Sequence, residues 1–278
     1  MKIGTSSQVV QPYPILEAVD LLARWGYEAV EIWTEHVWRD GPGLTALRRR
    51  ALDAGMSMSL HAPIRDTNPT SSNPGIQKES LRQCIECLEM AAELEAQTVA
   101  IHPGRLSSER DQTGDFWPRQ LEMFAVIARS AETLGLKVGI ENMERRSREF
   151  VVTPGDVLKI ISAVGSPALG FTLDLAHAFT VPGIDLVDFV RQAGPVMNLH
   201  ISDCSGSRIH LPLGEGDLDL SPALNELAPR YDGAAVIEGY RPGRELSVIE
   251  SNIRVARTLI RWPPRTPLPK HVPENEEE

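Results

Sequence analysis

The chain has 278 residues, of which 28 are Lys or Arg and 38 are Asp or Glu, for a formal charge of −10 with histidine neutral. At 42% hydrophobic and 24% charged it has the composition of an ordinary globular protein, and no run approaches the roughly 18 apolar residues that a membrane helix needs. The acidic balance counts against a general nucleic-acid binder.

In chain order, short apolar stretches alternate with longer amphipathic ones. Strands are predicted at residues 2–5, 29–34, 57–63, 98–103, 137–142, 169–174, 196–203 and 235–240. Helical spacing of apolar residues marks the segments between them, clearest at 77–96 and 116–134. Thr153 before Pro154 reads as a helix start, and Gly55 and Gly135 read as helix ends. Eight strand–helix alternations predict an α/β protein with a single (β/α)₈ TIM barrel over residues 1–262. A doubly wound sheet is the rival, but no glycine-rich phosphate turn follows the first strand. Residues 263–278 are Pro-rich and end in acidic residues, so a disordered tail is expected there.

The N-terminal string MKIGTSSQVV lacks the apolar stretch of a secretory signal. Three cysteines, Cys84, Cys87 and Cys204, cannot all pair, which fits a reducing compartment; a cytoplasmic protein is expected. Cys84 and Cys87 fall mid-helix, where packing is the simpler role than redox chemistry. The run Arg48–Arg50 reads as a solvated helix face. His36, between Trp33 and Trp38, is left open between pocket lining and surface loop.

The chemistry gathers at strand ends. His61, His102, Glu141, Asp174, His200 and Glu238 each fall near the C-terminal end of a predicted strand, the face on which barrel enzymes carry their active sites. Strand alternation sets each of them opposite its bulky neighbours: Glu141 faces away from Val138 and Ile140, Asp174 from Phe171 and Leu173, and His200 from Met197 and Leu199. Two like charges about 4 Å apart repel by roughly 4 kcal/mol at an effective dielectric near 20. Three carboxylates on one rim therefore call for a cation. Glu141, Asp174, Glu238 and neutral His200 offer three oxygens and one imidazole, a set that suits Mn²⁺, Mg²⁺, Co²⁺ or Zn²⁺. His61 and His102 offer a second site beside Glu141. His177 and His210 stand between metal ligation and substrate hydrogen bonding.

The strings His61-Ala-Pro63, His102-Pro-Gly104, Ile140-Glu-Asn142, Leu173-Asp-Leu-Ala-His177, His200-Ile-Ser-Asp203, His210-Leu-Pro-Leu-Gly-Glu-Gly216 and Ile237-Glu-Gly239, in this order, resemble the xylose-isomerase-like TIM-barrel superfamily. That superfamily holds sugar isomerases, ketose epimerases and zinc-dependent apurinic endonucleases. The resemblance implies that Glu141, Asp174, His200 and Glu238 hold the shared metal, with Glu141 and Glu238 as the catalytic acid–base pair. It also implies a second zinc at His61 and His102 in the endonuclease branch, and substrate hydroxyls held by His177 with Arg208 or His210. Arg208 stands where an endonuclease carries an aspartate for a third zinc, and the segment after His61 lacks the aromatic residue of the endonuclease loop. The expectation is therefore a divalent-metal-dependent isomerase or epimerase of a small sugar, polyol or sugar phosphate. An apurinic endonuclease is the alternative and a non-catalytic barrel that binds a metabolite or partner is a third reading; no nucleic-acid or membrane partner is expected, and a homo-oligomer is the default for such enzymes.

Overall fold

Apolar residues such as Val99, Val138, Ile140, Phe171, Leu173, Leu199 and Ile237 are fully buried between the strands that carry them and the surrounding helices. The computed structural model describes residues 1–260, so the predicted tail lies outside the described residues. Its strands are β1 Lys2–Ser6, β2 Ala29–Trp33, β3 Ser57–His61, β4 Thr98–Ile101, β5 Lys137–Glu141, β6 Leu169–Asp174, β7 Val196–Ile201, β8 Asp203–Ser205, β9 Arg208–Leu211 and β10 Ala234–Ile237. All but β8 and β9 close into a barrel in the order β1-β10-β7-β6-β5-β4-β3-β2, every neighbouring pair parallel. The predicted (β/α)₈ barrel is the observed fold. No helix among the described residues is long and apolar enough to cross a membrane.

Differences from the predicted boundaries have local causes. Pro63 and Pro103 lie just past β3 and β4, where a residue without N–H ends a ladder. The stretch predicted as one strand at 196–203 stops at Ile201, and Asp203 begins an antiparallel hairpin with β9. Gly206 and Ser207 form its two-residue turn, with Gly206 at a φ of 58°. The helix predicted from residue 77 starts a turn earlier, at Pro74, because Asn73 caps it by accepting from the backbone N–H of Gly75 and Ile76. Thr153 caps Pro154–Val164 through a reciprocal box with Asp156, and Gly135 ends Thr113–Leu134 in the left-handed region. Cys84 and Cys87 are buried on Pro74–Glu93, and burial pushes the Cys84 thiol up to about 12.

Beneath the rim, small residues leave room for polar ones. Gly139 packs so tightly on β6 that a Cβ there would lie 2.1 Å from Thr172 Oγ1 and 2.7 Å from its backbone nitrogen. Gly139→Ala is therefore expected to cost about 1–3 kcal/mol of stability, the usual penalty for overpacking. Chemical denaturation checks it. Adding Thr172→Ala should recover only part of the loss, since the backbone contact remains. A register shift between Phe171 and Thr172 corrects one expectation from alternation. Met197 folds against Gly170, where a Cβ would lie 2.7 Å from Met197 Cγ, so the simple two-residue period of β7 holds only from Asn198 onward.

Candidate metal centre at the barrel rim

The strands deliver their polar ends to one place. His61, Glu141 and Asp174 are the last residues of β3, β5 and β6; His102 and Glu238 sit one past β4 and β10; His200 is next to last in β7. Asp174 and His200 are paired across β6 and β7. Glu141 is the hub: its Oε2 lies 3.4 Å from His61 Nε2 and 3.3 Å from His102 Nε2, and its Oε1 lies 3.5 Å from His200 Nδ1 and 3.4 Å from His177 Nδ1. His200 Nδ1 is also 3.4 Å from Glu238 Oε2. Glu141, Asp174 and His200 are at most 1% exposed and Glu238 7%, so these charges face one another with little water between them.

That environment moves their proton affinities. Burial opposes ionisation of Glu141, but the imidazoles of His102 and His200 outweigh it and hold the carboxyl well below the usual range. Burial and the neighbouring Glu141, Asp174 and Glu31 carboxylates push Glu238 up to about 8, against the pull of His200. Burial works against protonation of His61 and His177, yet nearby carboxylates raise both to about 9. His210, desolvated and beside His177, falls to about 4.

The donor set fits a divalent cation. Glu141 Oε2, Asp174 Oδ2 and His200 Nδ1 are buried and have no hydrogen-bond partner, which is costly for polar atoms unless they serve a ligand. Glu141, Asp174, His200 and Glu238 each present a ligand atom within 4.8 Å of the others, and so do His61, His102 and Glu141. Asp174, His177 and His210 form a further such set. His61 Nδ1 is 2.7 Å from its donor–acceptor partner Ala62 O, which accepts the ring N–H and leaves Nε2 free toward Glu141.

His177 and His210 reach the same cavity, their Nε2 atoms 3.1 Å apart. His177 follows Asp174 by three residues, and its backbone N–H caps onto Asp174 Oδ1 at 2.7 Å. His210 adopts a φ of 56°, unusual for a residue with a side chain, on the strand that returns from the hairpin turn. Arg208 is exposed on β9 and is not among the cavity-lining residues. His36 is neither in the pocket nor on a loop: it is 1% exposed in the helix Thr34–Asp40, with Nε2 2.9 Å from Tyr13 O.

Sequence reasoning missed Glu31, Trp33 and Glu144. Trp33 stacks on His61 with ring centroids 4.7 Å apart, and Glu144 lies 3.6 Å from His177 Nε2. Glu31 is fully buried under the rim, 3.1 Å from His200 Nε2. Its signal was a lone acid at the centre of Ala-Val-Glu-Ile-Trp, in phase with the inward positions. Trp33 and Glu144, with His61, His102, Glu141, His177, His210 and Glu238, bound a cavity of about 270 Å³, lined also by Gln8, Arg105, Glu149 and Tyr240.

A closed eight-stranded barrel carrying His, Asp and Glu on six strand ends has its polar groups on the face where barrel enzymes carry their active sites. The description "Xylose isomerase-like TIM barrel" matches residues 19–262, and the chain belongs to that family. It is 29% identical to an uncharacterized protein of Methanocaldococcus jannaschii over 247 residues, 86% of this chain and 83% of the other. It is 25% identical to the fructoselysine 3-epimerase of Shigella flexneri over 252 residues, 86% of this chain and 90% of the other. The crystal structure of a D-tagatose 3-epimerase-like protein superposes with a TM-score of 0.80 at 25% identity, covering 94% of this chain and 99% of the other. Sugar epimerases thus stand among the chain's relatives.

Proposed function

We propose that this protein is a divalent-metal-dependent epimerase or isomerase of a small ketose, polyol or sugar phosphate, working in the cytoplasm. The observation that carries this is the convergence of three partnerless buried donors, Glu141 Oε2, Asp174 Oδ2 and His200 Nδ1, with Glu238 within 4.8 Å of them, at a cavity of sugar size that Glu141 and Glu238 line. The epimerase names of its relatives support it. Glu141, Asp174, His200 and Glu238 would hold a divalent ion, which would supply Lewis-acid stabilisation of the charge that develops when a proton leaves carbon next to a carbonyl. Glu141 and Glu238 both line the cavity and approach His200 Nδ1 at 3.5 and 3.4 Å, which supports a reading in which one carboxylate takes that proton and the other returns it. His177 and His210 orient the substrate hydroxyls from the cavity wall, and Arg208, outside the lining, is left without that role. Trp33 and Ile64 add apolar surface to the cavity lining.

Incubation with Mn²⁺ in D₂O across a panel of free and phosphorylated ketoses should give deuterium at the carbon beside the carbonyl and a new epimer or aldose. Metal-loaded protein that exchanges no substrate proton across the panel would overturn the assignment.

A second reading, zinc-dependent cleavage at abasic DNA, draws on the two further donor sets, His61–His102–Glu141 and Asp174–His177–His210. It stands second because the cavity, at about 270 Å³, has room for a small molecule and the chain is acidic. Zinc-loaded protein that nicks an abasic duplex, while leaving ketose protons in place, would reverse the order.

A further inference from the structure

Glu31 is a carboxylate with no access to solvent and no place in the cavity lining, so it touches neither substrate nor bulk water. A charge so placed is expensive unless donors surround it. Three do. Its Oε2 accepts from Ser59 Oγ at 3.2 Å on the neighbouring strand and from the Asn198 amide, and His200 Nε2 lies 3.2 Å from Oε2 and 3.1 Å from Oε1. Ser59 and Glu31 are register partners across β2 and β3, and Asn198 precedes His200 by two on β7, so this layer is built from the inward positions just below the rim.

The two nitrogens of His200 therefore face opposite ways. Nε2 meets the Glu31 carboxylate, and Nδ1, without a hydrogen-bond partner, faces Glu141 and Glu238. Carboxylates can only accept, so Nε2 carries a proton against Glu31, and when the rim holds a divalent ion the Nδ1 lone pair serves it while Nε2 keeps that proton. We infer that Glu31 is a positioning residue that fixes the ring and the proton of His200 so that Nδ1 is held ready for the divalent ion; this rests on the metal centre proposed above. Ser59 and Asn198 hold the carboxylate itself in place. A neutral amide at position 31 fills the same volume but can turn its NH₂ toward His200 and lets the imidazole change tautomer.

The test compares native protein with Glu31→Gln by calorimetric titration of Mn²⁺ into the metal-free form, alongside the melting temperature of each metal-free protein. Loss of a partner of this kind typically weakens metal binding about 10–100-fold. That loss, with the metal-free melting temperature close to native, is the expected result; a purely structural role would move the melting temperature and leave the metal affinity alone. Affinity within twofold of native overturns the inference. NMR of the Mg²⁺-loaded native protein supplies a measurement that survives a variant that does not fold. The His200 Nε2–H should be downfield and slow to exchange, and a freely exchanging one overturns the assignment. Native protein that binds Mn²⁺ but moves no sugar proton defeats the proposed reaction and leaves this comparison intact. Native protein that binds no Mn²⁺ defeats both.

Discussion

Glu141→Gln and Glu238→Gln are each expected to slow solvent exchange into the substrate by about 10²–10⁴-fold, the range for removing a positioned general acid or base. Glutamine keeps the shape and loses the proton-accepting oxygen, so the loss should appear in kcat. The two variants should differ elsewhere. Glu141 lies within 3.5 Å of four imidazoles, those of His61, His102, His177 and His200, and its conversion leaves all four without their shared carboxylate. Glu141→Gln should therefore lose much of its metal affinity and shift the titration of His61 and His177 downward, visible in their proton NMR spectra. Glu238 is raised to about 8, so in the metal-free protein at neutral pH its carboxyl is largely protonated and glutamine imitates that state. Metal-free Glu238→Gln should melt within a few degrees of native near pH 7. Equal activity of either variant and native protein would remove that carboxylate from the proton-transfer step.

How far the sequence discloses this site depends on which physical signal each residue leaves. The barrel is legible because its outward positions, such as Val138, Ile140, Phe171 and Leu173, must be apolar to meet the helices, and that requirement writes a period of two. The six rim residues stand out against it because each is polar and in phase at a strand end. Glu31 breaks the pattern in mid-strand, where an acid looks like an anomaly until Ser59, Asn198 and His200 are brought round the barrel to meet it. Those partners lie as far as 169 residues away in the chain, and no local period records such a contact. The β8–β9 hairpin is hidden differently: Gly206-Ser207 is a recognisable turn, but the flanking strands of three and four residues are too short to show alternation. Arg208 and His210 belong to that hairpin, so which of them enters the cavity follows from its turn geometry and the positive φ of His210 rather than from spacing. Met197 is a similar case, displaced by a register shift that a strand sequence does not announce.

Removal of the divalent ion is expected to change stability more than any single substitution at the rim, and to do so in a pH-dependent way. A ligand at one hundred times its dissociation constant stabilises the folded state by about 2.7 kcal/mol, so Mn²⁺ should raise the melting temperature by several degrees and chelation should reverse it. The sign of the pH effect follows from Glu238. Its folded, metal-free carboxyl titrates at about 8, above the ordinary carboxylate value from which it is raised by burial and by the surrounding acids. A group that holds its proton more tightly when folded favours the folded state most at low pH, and that contribution is lost as pH rises toward about 8. The metal-free protein should therefore lose stability from about pH 5 to pH 8 on this account. The ion reverses the trend: it must displace the Glu238 proton below pH 8, and a proton from His200, whose imidazole the surrounding carboxylates raise well above its ordinary value, so its affinity should climb with pH across this range. Calorimetry in two buffers of different ionisation enthalpy would register those protons as they are released. The gap in melting temperature between loaded and metal-free protein should consequently widen from pH 6 to pH 8. A gap that is constant over this range, or binding without proton release, would mean that Glu238 is already ionised before the ion arrives and that its neighbours repel it less than their packing implies.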